Sequence, residues 1–282
     1  MPAPQAMMVK EMAKNNFRSK GIKLGHQWSQ PTGEAGKQYV DAFEQGEHNV
    51  PPDPMALFTP ATPNKYHVDQ TKTIGKQFAD FIDGVSDAIC GAWQQFMSAS
   101  TIVGVMVNGP VGVILPGSFQ GPPIFPLAFA QAPKNTPSLM KYSKAVCQAV
   151  GTSFQAWHMG FMGKVQCVPT FAVMAGPIHP PTPNIPMTID MVGKSPAEAM
   201  MKKDALKGLM ILNLGDPTAL HHMELFDSIA DAIDQAFTQF KASTMVNNIM
   251  SFGPIPTFAP PFVPVGPVVM GVGNGIPGSM LA

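Results

Sequence analysis

The chain has 282 residues, with Lys plus Arg equal to Asp plus Glu at 18 each. Only 13% of it is charged, about half the roughly 25% of an ordinary soluble domain. Zero net charge removes the Lys and Arg excess on which phosphate contacts rest, so nucleic acid is not an expected partner.

So few charges protect a free monomer poorly against association. With 30 prolines and 21 methionines besides, much of the surface is expected to lie against neighbouring subunits, where flexible thioethers fill irregular contacts. No window of about eighteen residues escapes interruption by Gly, Pro or polar residues, so no ordinary transmembrane helix is expected and a membrane is an unlikely partner. The opening MPAPQAMMVKEMAKNN has no continuous apolar core of signal-peptide length, so no signal peptide is expected and synthesis is placed in the cytoplasm. Cys90, Cys147 and Cys167 form no CxxC pair and leave one thiol over under any disulfide scheme; buried free thiols are expected.

Residues 1–70 are polar and broken by Pro31, Pro51, Pro52, Pro54, Pro60 and Pro63, with a short helix expected near Ala6 to Phe17. Phe17, Trp28, Phe43 and Phe58 are spaced along this segment. It reads as an extended N-terminal arm whose aromatic anchors dock on its own body or on a neighbour.

The stretch Ile82 to Phe96, IDGVSDAICGAWQQF, then sets a pattern that returns as Ser143 to Trp157 and as Phe226 to Phe240. Aligned without gaps, the copies match Val85, Val146 and Ile229, then Ala88, Ala149 and Ala232, then Ile89, Val150 and Ile233. Trp93, Phe154 and Phe237 follow, and Phe96, Trp157 and Phe240 close each copy. These positions fall three and four apart, so each copy is an amphipathic helix with the same apolar stripe.

The first such helix is expected over about Thr71 to Met97, weakened by Gly84 and Gly91 unless another backbone packs closely on them. After it the chain is uncharged up to Pro133; Thr101 to Val107 reads as a strand, turned by Gly109-Pro110. Thr136 caps the second helix with Pro137 at its first position, and its tail passes through Gly176-Pro177. Ser195-Pro196-Ala197-Glu198 is a capping box that starts a further helix to about Leu212, read as an insertion. Asp216-Pro217 starts the third repeat helix, running to Lys241, after which no charge appears again. Gly253-Pro254 follows Phe240 at the interval that separates Gly109-Pro110 from Phe96, so the duplication covers helix plus tail.

The expected organisation is thus α+β: an arm at 1–70, repeat 1 at 71–134, repeat 2 at 135–190, an inserted helix and connector at 191–215, and repeat 3 at 216–282. The three units are expected to pack as a pseudo-threefold cluster, because burying one stripe returns less than ordering its helix costs. Prolines bar the tails from being central strands throughout, so extended segments pressed into grooves, with short strands, are expected. Trp93, Phe96, Phe154, Trp157, Phe237, Phe240, Phe258 and Phe262 are the expected core or interface residues.

No catalytic signature rises above this pattern. His221, His222 and Glu224 lack the i, i+4 histidine pair of a zinc helix, so no metal is expected. Gly271-Val272-Gly273-Asn274-Gly275 lacks the Lys-Ser/Thr of a phosphate loop and reads as a turn; no cofactor is expected. Gly117-Ser118-Phe119-Gln120-Gly121 sets its serine one position early for a nucleophile elbow. Asp83 and Asp87, matched by Asp227 and Asp231, lie four apart on one helix face, but the middle copy carries Lys144 and Gln148 there.

An Ala-rich helix with a terminal aromatic, a Ser/Thr-x-Val strand start (100–103 and 243–246) and a neutral Gly/Pro-rich tail together resemble small structural proteins of tailed phages and related contractile injection particles. The resemblance covers the three helix-plus-tail units and neither the arm nor the inserted helix. It implies a non-enzymatic subunit of a virion or particle, in a tail, baseplate or spike region, contacting copies of itself and other subunits. Three copies in one chain match a threefold particle axis. The alternatives are a membrane-active protein whose apolar tails insert into lipid, and an enzyme of unknown reaction built on the repeats.

Overall fold

Three long helices carry the three apolar stripes aligned in the sequence. In the computed structural model, which describes residues 4–24, 45–47, 49–167, 178–259, 263–264 and 267–282, they are α2 (Lys65–Ala99), α4 (Pro137–Met159) and α7 (His222–Ser243). Their ends follow local chemistry. The Asn64 side chain accepts from Tyr66 N, so α2 begins before the expected Thr71, and Thr136 caps α4 by accepting from Leu139 N. Asp216 is absorbed in a turn, accepting from Thr218 N and Oγ1, so α7 starts only after His221.

Three shorter helices lie outside these: α1 (Ala6–Arg18), α3 (Ile124–Gln131) and α6 (Lys203–Leu214), with a one-turn α5 (Ile189–Val192) between α4 and α6. Each outer helix sits between two inner ones. α3 packs on α2 and α4, α6 packs on α4 and α7, and α1 packs on α7 and α2. The helix read as an insertion therefore fills the same kind of groove as the other two. Its start also differs from the capping-box expectation. Ser195 accepts from Ala197 N, but the chain makes a 3-10 turn at Pro196–Met201 and restarts as α6, because the Glu198 carboxylate is bound to Lys241 instead of the cap.

The arm docks on its own body through α1, where Val9, Ala13 and Phe17 are buried. The rings of Phe17, Phe58 and Phe78 meet at 5.0–5.5 Å between centroids. The other two anchors, Trp28 and Phe43, lie outside the described residues.

Gly84 and Gly91 of α2 receive side chains, not another backbone. A Cβ at Gly84 would lie 2.5 Å from Pro133 Cγ, and one at Gly91 would lie 3.1 Å from Gln131 Oε1. On α4 the approach is closer in kind: a Cβ at Gly151 would lie 2.8 Å from the Cα and N of Phe125, so α3 rests on bare backbone there. Gly151→Ala is expected to cost about 1–3 kcal/mol by overpacking, read as a lower urea midpoint at unchanged slope. Gly208→Ala on α6 is the control; its added Cβ meets nothing within 4 Å, and the better helix former stabilises by up to about 1 kcal/mol.

The tails form more sheet than expected. Strands β1 (Thr101–Ile102), β2 (Val105–Asn108), β3 (Val111–Ile114) and β4 (Phe119–Gln120) follow α2, with the foreseen turn at Gly109-Pro110 between β2 and β3. β5 (Met162–Gln166), β6 (Ile178–Thr182), β7 (Met187–Thr188) and β8 (Gly193–Lys194) follow α4. β9 (Met245–Val246), β10 (Ile249–Pro254), β11 (Phe258–Ala259), β12 (Val263–Pro264) and β13 (Gly271–Gly275) follow α7. Gly253-Pro254 ends β10 instead of turning it at once, and the Gly176-Pro177 turn lies outside the described residues.

One antiparallel sheet runs β6-β10-β13-β2-β3-β5-β8, drawing two strands from the first and third tails and three from the second. Asn184, just past β6, bridges Cys167, just past β5, and Ile185 N donates to Gln166 O at 2.7 Å. The first six strands therefore return on themselves as a small barrel at the C-terminal ends of α2, α4 and α7. Proline is accommodated by irregularity: β6 reads IHPPT, and its register against β10 shifts where Pro180 and Pro181 oppose Phe252 alone.

The glycine-rich 271–275 segment is strand β13, not the expected turn, and the narrow interior explains it. Its inward positions have no room for side chains. A Cβ at Gly273 would lie 3.1 Å from Ile249 Cγ2 and 3.2 Å from Val105 Cβ, and one at Gly275 would lie 2.7 Å from Met280 Sδ.

Candidate functional site

Six of the eight residues singled out from the sequence converge where the helices meet the barrel. Trp93, Phe96, Phe154, Trp157, Phe237 and Phe240 are all buried. Phe96 of α2 packs on Phe154 of α4 at 4.8 Å, Trp157 of α4 on Phe237 of α7 at 5.1 Å, and Phe240 of α7 on Trp93 of α2 at 5.2 Å. The closing aromatic of each helix thus leans edge-on against the earlier aromatic of the next, and the third contact completes the circle. Phe258 lies in β11, paired with Pro264, and Phe262 lies outside the described residues.

The four matched aspartates are anchors, not free acids. Lys10 and Lys14 of α1 reach Asp87 and Asp83 on α2 at 2.7 and 3.2 Å, and Asn16 Nδ2 donates to Asp231 on α7 at 2.8 Å. Lys20, Lys203 and Lys207 converge on Asp227, at 2.5, 3.1 and 3.0 Å. The middle copy, with Lys144 and Gln148 at these positions, faces no α1. Burial alone would raise the Asp227 pKa, but the three ammonium groups outweigh it and hold the carboxyl well below the usual carboxylate range.

Asp227→Asn is therefore expected to cost about 1–3 kcal/mol near neutral pH, between the values for exposed and buried pairs. A lowered native pKa gives stability that is present above the unfolded value and lost as pH falls. The gap between wild type and variant in urea unfolding should close progressively below about pH 5.

A second ionic anchor ties α7 to the chain before α6. Lys241 is buried and donates to Asp190 at 2.9 Å and Glu198 at 2.6 Å, over the Phe237 ring. Burial acts to lower its pKa, and the two carboxylates reverse this and raise it.

The barrel's outer face has a different character. Directly paired positions set Phe252, Val272, Met106 and Val113 in one outward row across β10, β13, β2 and β3, ending at Lys164 on β5. Met106 is 47% exposed, Val272 41% and Phe252 40%. Beyond them Met270 and Ile178 are exposed at 84% and 64%. Along this row the only charge is Lys164.

The remaining chemical candidates have structural partners. His221 packs at a tilt on Phe58, while His222 turns Nδ1 to the Ala219 carbonyl, so the two side chains have different partners. Among the described residues no three His, Cys, Asp or Glu side chains gather as a metal site would require. Burial pushes the Cys90 and Cys147 thiols up to about 12, which leaves them protonated and unreactive. The Cys167 thiol is raised by burial and bonded to Ser251 inside the barrel. Among the described residues no helix is long and apolar enough to cross a membrane.

Sequence reasoning missed α1 as the partner of the aspartates. The signal was there in Lys10 and Lys14, four apart and so on one side of the expected helix.

No family model matches the chain, and neither a curated protein nor a solved structure matches it.

Proposed function

We propose that the chain is a non-enzymatic structural subunit of a large protein assembly, of the kind found in phage tails and contractile injection particles. It is made in the cytoplasm and works inside the particle. It is built as three related units about one axis, each an outer helix, an inner helix and a pair of strands: α1 with α2 and β2-β3, α3 with α4 and β5-β6, α6 with α7 and β10-β13.

Support for the triplication comes from the circle of aromatic contacts and from the alternation of outer and inner helices. The observation that carries the functional reading is the near-uncharged barrel with the Phe252, Val272, Met106 row turned outward. A contiguous apolar face of this kind marks a contact site on a soluble body, and methionines and an aromatic suit protein contact. Among the described residues the four aspartates are engaged with lysines or Asn16 and the thiols of Cys90 and Cys147 are held protonated, which favours a structural reading over acid-base or nucleophilic work.

Gel filtration of the expressing cells' extract, followed by mass spectrometry of the high-mass fractions, tests the reading. The chain is expected in a particle of fixed composition. A stable monomer that never enters a larger assembly would refute it.

A further inference from the structure

One residue past the closing aromatic of each inner helix stand Met97, His158 and Lys241, matched in the same gap-free alignment and all buried. The three positions meet the same demand differently. Met97 brings no polar group, and Lys241 brings a charge answered by Asp190 and Glu198. His158 has neither solution: its ring lies among Phe96 of α2, Phe119 of β4 and Phe154 of its own helix, at 5.1–6.0 Å between centroids.

Among the described residues its one polar contact is Nδ1 to the Phe119 carbonyl at 3.2 Å. A carbonyl only accepts, so Nδ1 carries the proton of the neutral ring and Nε2 is the site open to a second. None of these ring neighbours on α2, β4 and α4 is charged. An open cleft of about 340 Å³ adjoins the ring, and its other walls, Gly117, Gln120, Gly121, Pro123, Gln155 and Met159, are uncharged as well. Burial lowers the His158 pKa, opposed only by the Phe119 carbonyl.

We propose that His158 is an acid-released latch at the junction of helices and barrel. Proton uptake from solvent at Nε2 drives the ring out of its aromatic cage into the adjoining cleft and frees β4 from the end of α4. The ring supplies the side-chain hydrogen bond from α4 to this strand, beside the packing of Phe119 on Phe96, Trp157 and Phe161. β4 is two residues long and pairs with β1 alone, and the neighbouring turn is held to α4 by Gly117 N donating to Met159 O. The neutral ring is favoured in the closed form, so closure is complete above the free-imidazole value of about 6.5 and is lost as pH falls below it.

The test is a titration from pH 7.5 to 4.5 at fixed ionic strength, followed by near-ultraviolet circular dichroism and tryptophan fluorescence, since Trp157 packs on Phe119. Wild type is expected to show a reversible transition in which the closed-to-open ratio falls up to tenfold per pH unit. His158→Met, which installs the residue of the first copy, should stay flat over this window. The same transition in His158→Met, or none in wild type, overturns the latch. Should the variant fail to fold, ¹⁵N imidazole spectra of wild type decide. Protonation of His158 in step with loss of native shifts at Phe119 supports the proposal, and protonation without any change there overturns it.

Discussion

Phe154→Ala is expected to lower stability by about 3–5 kcal/mol, the range for a large aromatic truncated in a packed core. The ring is the hub of the junction. It lies within 4.8–5.9 Å of Phe96, Trp93, Trp157 and His158, so its loss removes contacts to α2 as well as within α4. The surroundings are poorly able to collapse into the space, because Trp93 and Trp157 are themselves locked against Phe240 and Phe237. Urea unfolding followed by circular dichroism measures the cost. A loss below about 1 kcal/mol would mean that the cluster is loosely packed, and the account of the junction would be wrong.

Lys241→Met is expected to cost about 3 kcal/mol, at the low end of the price for removing one member of a buried pair. The low end applies because Asp190 and Glu198 keep 41% and 26% of their side-chain exposure and are partly served by water once the ammonium is gone. The informative comparison is the triple variant Lys241→Met, Asp190→Asn, Glu198→Gln. An apolar replacement that leaves no charge unpaired is often near neutral, and Met already occupies the matched, buried position 97. The triple variant should recover at least half of the loss. Equal loss in both would show that Lys241 matters through its stem on Phe237 and not through its charge.

How much of this could be read from the chain alone depends on the range of each interaction. The inner helices were legible because their stripes repeat at helical spacing and because Thr136-Pro137 is a local start signal. The Gly109-Pro110 turn was legible for the same reason, and Gly109 takes a φ of +59° there. The barrel was not. Its closure joins Cys167 to Asn184 and its interior joins Cys167 to Ser251, pairings that no local period encodes. Its glycines misled the reading, since glycine in a strand commonly marks either a turn or a close approach, and here the close approach applied. The aspartates four apart read as a solvated outer face, because the lysines and Asn16 of α1 that meet Asp83, Asp87 and Asp231 lie more than sixty residues upstream. That α1, α3 and α6 each pack between two of the long helices escaped notice because they share no visible sequence pattern.

Oxidative footprinting of the methionines, comparing purified chain with the particle fraction, puts the account to its most direct trial. Met106 and Met270 lie on the barrel and Met7 on α1, and all three are well exposed in the isolated chain. The account predicts that Met106 and Met270 become protected in the particle while Met7 stays reactive. Equal reactivity of all three in both fractions would contradict it.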